Sequence, residues 1–133
     1  MQFLKQDDLA KLVLRLALGL MIFLHGVSKI SHPEALSWIG SMLAARGLPE
    51  WVTYGVLIGE IVAPVLIVIG WFTRLGAFLI VGNMLFVFWL VHMKQLLMLT
   101  EHGGWAVELQ GFYLFTALAI LFLGSGKFAV KPD

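Results

Sequence analysis

Five side chains in this sequence stand where chemistry could be done: Arg15, His25, Lys29, Glu60 and Asn83. Glu60 is the sharpest, because it interrupts the otherwise uncharged run Trp51–Thr73, with Gly59 beside it and Pro64 one turn on. A carboxylate in hydrocarbon costs a few kcal/mol and must be protonated or paired. The functional reading is a site that exchanges a proton or holds a ligand; the bland one is a permanent ion pair that fixes helix packing. Arg15 is the obvious partner, one turn inside the end of its helix. Its long side chain can reach Glu60 or snorkel to the headgroups, and snorkelling is the default expectation. His25 and Lys29 lie one turn apart at the other end of the same helix. For His25, a hydrogen-bonded bundle histidine competes with a ligand or proton-relay role. Asn83, together with Thr116, falls near mid-depth, where both would either join Glu60 in a polar layer or act as interhelical glue.

What is missing narrows the chemistry further. The sequence has no cysteine, which excludes thiolate catalysis, disulfide exchange, Fe–S ligation and cysteine-based zinc sites by the chain itself. Any redox chemistry is then borrowed from a partner or a bound cofactor. No P-loop, HExxH or Ser–His–Asp signature is present, and no metal site is expected. Haem is disfavoured: His25 and His92 lie towards the same face, but only depth pairs them. His32 and His102 read as interface residues. A net charge of +1 without a Lys/Arg cluster gives no reason to expect nucleic acid.

The elements that position these residues follow from hydropathy. The 133 residues are 60% hydrophobic and 13% charged, with mean hydropathy +0.93, whereas a soluble domain carries roughly a quarter charged residues. Nineteen residues without a formal charge separate Arg74 from Lys94, enough α-helix to cross about 30 Å of hydrocarbon. Lys11–Lys29, Trp51–Thr73 and Leu109–Gly126 are similarly apolar. The expected fold is an all-α integral membrane protein: four transmembrane helices in an antiparallel bundle, plus one short interfacial helix between helices one and two. The spans fall at about 12–29, 49–69, 74–93 and 108–123. The interfacial helix, at about 33–46, starts at Ser31-His32-Pro33 and ends at Gly47. A single domain, 1–133, is the natural division.

Met1–Ala10 reads as a short polar lead. Asp7 and Asp8 interrupt it, and no small-x-small site follows the apolar run, so helix one is expected to be retained rather than cleaved. Pro64 should kink helix two. In helix one, Arg15, Gly19, Ile22, Gly26 and Lys29 fall on one stripe, whose two glycines let a neighbour approach closely. Lys5, Lys11, Arg74, Lys127 and Lys131 lie on one side, against Arg46 and Lys94 on the other. The positive-inside rule then places both termini and the tight turn in the cytoplasm. Trp38, Trp51, Trp89 and Trp105 fall near the outer boundary and Trp71 near the inner one.

The order of these features resembles the DoxX family of small bacterial and archaeal membrane proteins. The resembling residues are Arg15-Leu-Ala-Leu-Gly19, Phe23-Leu24-His25-Gly26 and Lys29 in helix one, then Glu60, the turn Gly70-Trp71-Phe72-Thr73-Arg74, and Gly124-Ser125-Gly126-Lys127. The tail departs from it, with Phe128-Ala129-Val130 where many members carry a Ser-Leu-Asp type sequence. The resemblance implies a four-helix inner-membrane protein. The family is named after a subunit of an archaeal thiosulfate:quinone oxidoreductase, and some relatives are linked to quinone or oxidative-stress handling. Three functions compete. The first is a membrane subunit or quinone-interacting platform of a redox system, with a redox protein as partner. The second is a structural or assembly protein. The third is a small proton-coupled homodimeric transporter of lipophilic cations using Glu60. The lipid bilayer is a partner in each, and a homo-oligomer is compatible with all.

Overall fold

The computed structural model describes residues 5–93 and 96–133, with residues 91 and 92 by backbone alone. The first four residues of the polar lead, the Lys94 charge and the His92 side chain therefore lie outside the described residues. The described residues form five α-helices: α1 (Asp7–Ser31), α2 (Pro33–Ala45), α3 (Val52–Ile69), α4 (Thr73–Val87) and α5 (Glu108–Leu123). A π-helical turn, Phe88–His92, extends α4. The only β feature among the described residues is an isolated bridge between Leu99 and Trp105.

Local signals explain most of these bounds. Asp7 and Asp8 sit in the first turn of α1 and Lys29 in its last, each complementing the helix dipole. Thus the last four residues of the expected polar lead, Asp7–Ala10, are helical, and α1 begins well before Leu12. Pro33 opens α2, and Gly47 closes it at φ 74°. The Leu48 N–H donates to Leu43 C=O at 2.9 Å and the Gly47 N–H to Ala44 C=O at 3.0 Å, a Schellman closure. Gly70, at φ 76°, ends α3 in the same left-handed conformation. Helix α3 starts at Val52 rather than Pro49, because Pro49–Trp51 is spent on the turn out of α2. It then runs on through Pro64.

Asp7–Ser31, Val52–Ile69 and Thr73–Leu90 are long and apolar enough to cross a membrane. Helix α5 is apolar but has 16 residues, about 24 Å at the α-helical rise. Many large apolar side chains point outward, among them Leu24, Phe78, Leu85, Phe112 and Phe122. In water such a surface would drive aggregation; against lipid it is at home.

The core draws on α1, α3, α4 and α5, through Leu18, Ile22, Ala63, Ile67, Ala77, Ile80, Met84, Tyr113, Ala117 and Ile120. Helix α2 lies across one end of this bundle, where Ile39 and Leu43 pack on Leu90. At the opposite end stand the Gly70–Arg74 turn and the tail after Leu123. The Val130 N–H donates to Ile69 C=O and the Lys131 N–H to Gly70 C=O, both at 3.1 Å. One end is thus roofed by a helix, and the other is sealed by the tail.

Candidate functional site

The stripe on α1 determines how the polar residues meet. A Cβ added at Gly26 would stand 2.5 Å from the Glu60 carbonyl oxygen, and one at Gly19 would stand 3.0 Å from that of Pro64. Helix α1 therefore lies directly on the α3 backbone, antiparallel to it. Pro64 has no N–H to offer the Glu60 carbonyl four residues back. The carbonyl left without its i+4 donor is the one that Gly26 approaches, close enough for a weak Cα–H contact. One turn beyond Gly26, Lys29 Nζ bonds both carboxylate oxygens of Glu60. This is the one ion pair between side chains among the described residues, with Glu60 buried and Lys29 half-buried.

Arg15 does not pair with Glu60, nor does it snorkel. It is 1% exposed and points to the tail end of the bundle. Its Nε donates to Ile67 C=O at 2.8 Å and its Nη2 to Val68 C=O at 3.1 Å. Its Nη1 donates to Ser125 C=O at 3.1 Å and Phe128 C=O at 2.6 Å. The guanidinium thus caps the last turn of α3 and clasps the tail onto it, with carbonyl oxygens as its hydrogen-bond acceptors. The physical reason lies in the register of α1 on α3: Gly26 faces the Glu60 backbone and Gly19 that of Pro64, so Lys29 falls beside the Glu60 carboxylate and Arg15 level with Ile67 and Val68.

Around the Lys29–Glu60 pair is a cleft of about 190 Å³. Ile22, His25 and Lys29 line it from α1, Trp38 and Ile39 from α2, and Val56 and Glu60 from α3. Met84 and Val87 come from α4, Leu90 from the π turn, and Leu109, Gln110 and Tyr113 from α5. His25 is exposed on its outer flank and meets Tyr113 edge to face, with ring centroids 5.8 Å apart and planes at 75°. The arrangement is a mainly apolar chamber into which an ammonium, a carboxylate, an amide, an imidazole and a phenol project. It can hold a small ring and offer it hydrogen bonds, and a proton has a donor and an acceptor side by side.

Asn83 is buried but faces elsewhere. It packs against Gly59, where an added Cβ would stand 2.6 Å from its side-chain carbon, and lines a separate groove between α3 and α4. Its Nδ2 finds no hydrogen-bond partner among the described residues. Thr116 lines a third groove with Phe112, Phe115 and Ala119. Glu60, Asn83 and Thr116 therefore form no common layer.

Sequence reasoning placed Trp38 only at the outer boundary and passed over Gln110 and Tyr113. A signal for the last two was available, since Gln110, Tyr113, Ala117 and Ile120 recur at three, four and three residues. That is the inward stripe of α5, and Thr116 is off it. No group of three or more His, Asp or Glu side chains capable of holding a metal ion occurs among the described residues.

A family model described as DoxX matches residues 10–93, more than half of the chain. No curated protein and no solved structure matches.

Proposed function

The chain belongs to the DoxX family, and on that footing we propose that it is a quinone-interacting membrane subunit of a redox system. The observation that carries this reading is the Lys29–Glu60 pair set in the wall of a ring-sized apolar cleft. A quinone presents two carbonyl acceptors on a flat ring. Lys29, Gln110 and Tyr113 supply donors for the carbonyls, while Ile22, Val56 and Met84 supply an apolar wall. The volume of about 190 Å³ exceeds the ~150 Å³ known to admit benzene. A bound quinone contributes two-electron, two-proton chemistry. The chain has no cysteine, so the electrons come from a partner protein. Lys29 Nζ and the Glu60 carboxylate hold the proton that must follow charge on the ring, and the apolar lining keeps water from short-circuiting it.

In this reading α5 is the fourth span of a single unit covering 1–133, since it packs on both α4 and α1. Helix α2 lies in the outer interface. The turn end carries Lys11, Arg74, Lys127 and Lys131, which supports cytoplasmic termini in the inner membrane.

The protein drawn from its own membranes in mild detergent should retain quinone or a soluble redox protein on native mass spectrometry. A species with neither overturns the proposal. A structural or assembly role has one observation in its favour, the ion pair itself. If Glu60→Gln lowers stability yet leaves quinone occupancy intact, that second reading takes its place. Export of lipophilic cations is disfavoured, because the Lys29 ammonium stands in the same cleft.

A further inference from the structure

His25 and Tyr113 belong to two cavities at once. On one side is the Lys29–Glu60 cleft; on the other is a groove of about 370 Å³, which the same two residues line with Met21, Leu24 and Ser28. Met21 is 53% exposed and Leu24 68% exposed. In a chain with this hydropathy, that surface meets hydrocarbon rather than water. The barrier between the two cavities is thus a single edge-to-face ring contact. It lies in the weaker of the two seams that α1 makes along the bundle, because α1 packs far more extensively on α3 than on α5. Both close-packed α1 glycines, Gly19 and Gly26, turn towards α3. Towards the other end, Trp38 and Ile39 of α2 stand over the cleft.

We propose that His25 and Tyr113 form a lateral portal between α1 and α5, through which the ligand's long apolar chain runs out into the bilayer. The ligand class is then a hydrogen-bond-accepting ring head joined to a hydrocarbon tail, taken up from lipid rather than from water. This rests on the quinone reading above and deepens it. The head fills the cleft, whose volume leaves no room for a long chain as well, and the tail lies along Met21 and Leu24. The moving leaf is His25, because Tyr113 is 7% exposed and fixed in the core, whereas His25 is open on its outer flank. A rotamer change at an exposed side chain takes picoseconds to nanoseconds, so the portal imposes no slow step.

The test measures binding of two probes to the purified protein in detergent by equilibrium dialysis. One is a dimethoxy-methyl-benzoquinone without a tail, and the other is the same ring with a decyl chain. Met21→Trp fills the groove without entering the cleft, and Ser28→Trp gives the same test should that variant not fold. In the native chain the decyl probe should bind at least about tenfold more tightly than the tailless ring. Either tryptophan variant should remove that advantage while tailless binding persists. Equal binding of both probes, or a decyl advantage that survives both substitutions, overturns the portal and leaves the quinone cleft standing. If neither probe binds the native chain, the cleft reading falls and the portal falls with it.

Discussion

With Lys29 cut back to Met, the Glu60 carboxylate is left inside the bundle with no cation to face. Breaking one side of a buried pair costs about 3–5 kcal/mol, whereas replacing both partners by apolar groups is often near neutral. Lys29→Met should therefore lower the unfolding midpoint steeply, and Lys29→Met with Glu60→Leu should recover most of the loss. A double-mutant cycle in detergent checks this: strictly additive effects would mean that the two groups do not interact. At Arg15 the substitution to watch is Lys. Three ammonium hydrogens on a single nitrogen cannot reproduce a planar fork that serves four carbonyls. Losing a hydrogen bond made by a charged group costs about 1.5–3 kcal/mol. Arg15→Lys should cost at least that much, and trypsin should then cut faster after Lys127 as the tail loosens. Each of these side chains could be singled out from the sequence, because charge inside a hydrophobic run is conspicuous. Their pairing could not, since spacing along one helix says nothing about where a neighbour starts. The register of α1 on α3, in which Gly26 meets the Glu60 backbone, decided between Lys29 and Arg15 as the partner of Glu60.

Among the helices, glycines divide by what stands opposite them. Among the described residues nothing lies within 4 Å of a Cβ added at Gly55, while one at Gly26 meets the Glu60 backbone. Gly55→Ala should be neutral or stabilising by up to about 1 kcal/mol, the ordinary helix preference. Gly26→Ala should reverse the sign, because α1 must move off α3 and carry Lys29 away from Glu60 as it goes. Comparing the two unfolding midpoints tests the seam itself, and equal effects would refute it. The α1 stripe was legible because its alternating three- and four-residue spacing is what helix packing requires. Helix α2 was legible because Pro33 and Gly47 mark its two ends. The π turn after Val87 was not. A run such as Phe88-Trp-Leu-Val-His92 carries no signal that separates i+4 from i+5 bonding, so tertiary packing decides. The inward face of α5 was there to be read in Gln110, Tyr113 and Ala117, but a hydroxyl near mid-depth, Thr116, drew attention to the wrong side.

For the whole molecule, the arrangement in the membrane makes a prediction that the composition renders easy to check. The chain has no cysteine, so a single one introduced at Ser37 or at Lys127 is a unique label site. Both positions are exposed. A membrane-impermeant maleimide added to intact cells should label Ser37→Cys and leave Lys127→Cys unlabelled until the membrane is opened; the reverse pattern inverts the topology. That the chain is a membrane protein could be read from hydropathy alone, whereas the sealing of its tail end could not, since it depends on contacts between residues more than a hundred positions apart. Those contacts also impose an order on synthesis. Arg15 emerges from the ribosome in the first helix, but its acceptors at Ser125 and Phe128 follow only after every other helix has been made. Until then a cation waits at the membrane edge half-solvated, and Lys29 waits likewise for Glu60. The first helix is thus the last to be finished, and insertase or chaperone contact during biogenesis should concentrate on it.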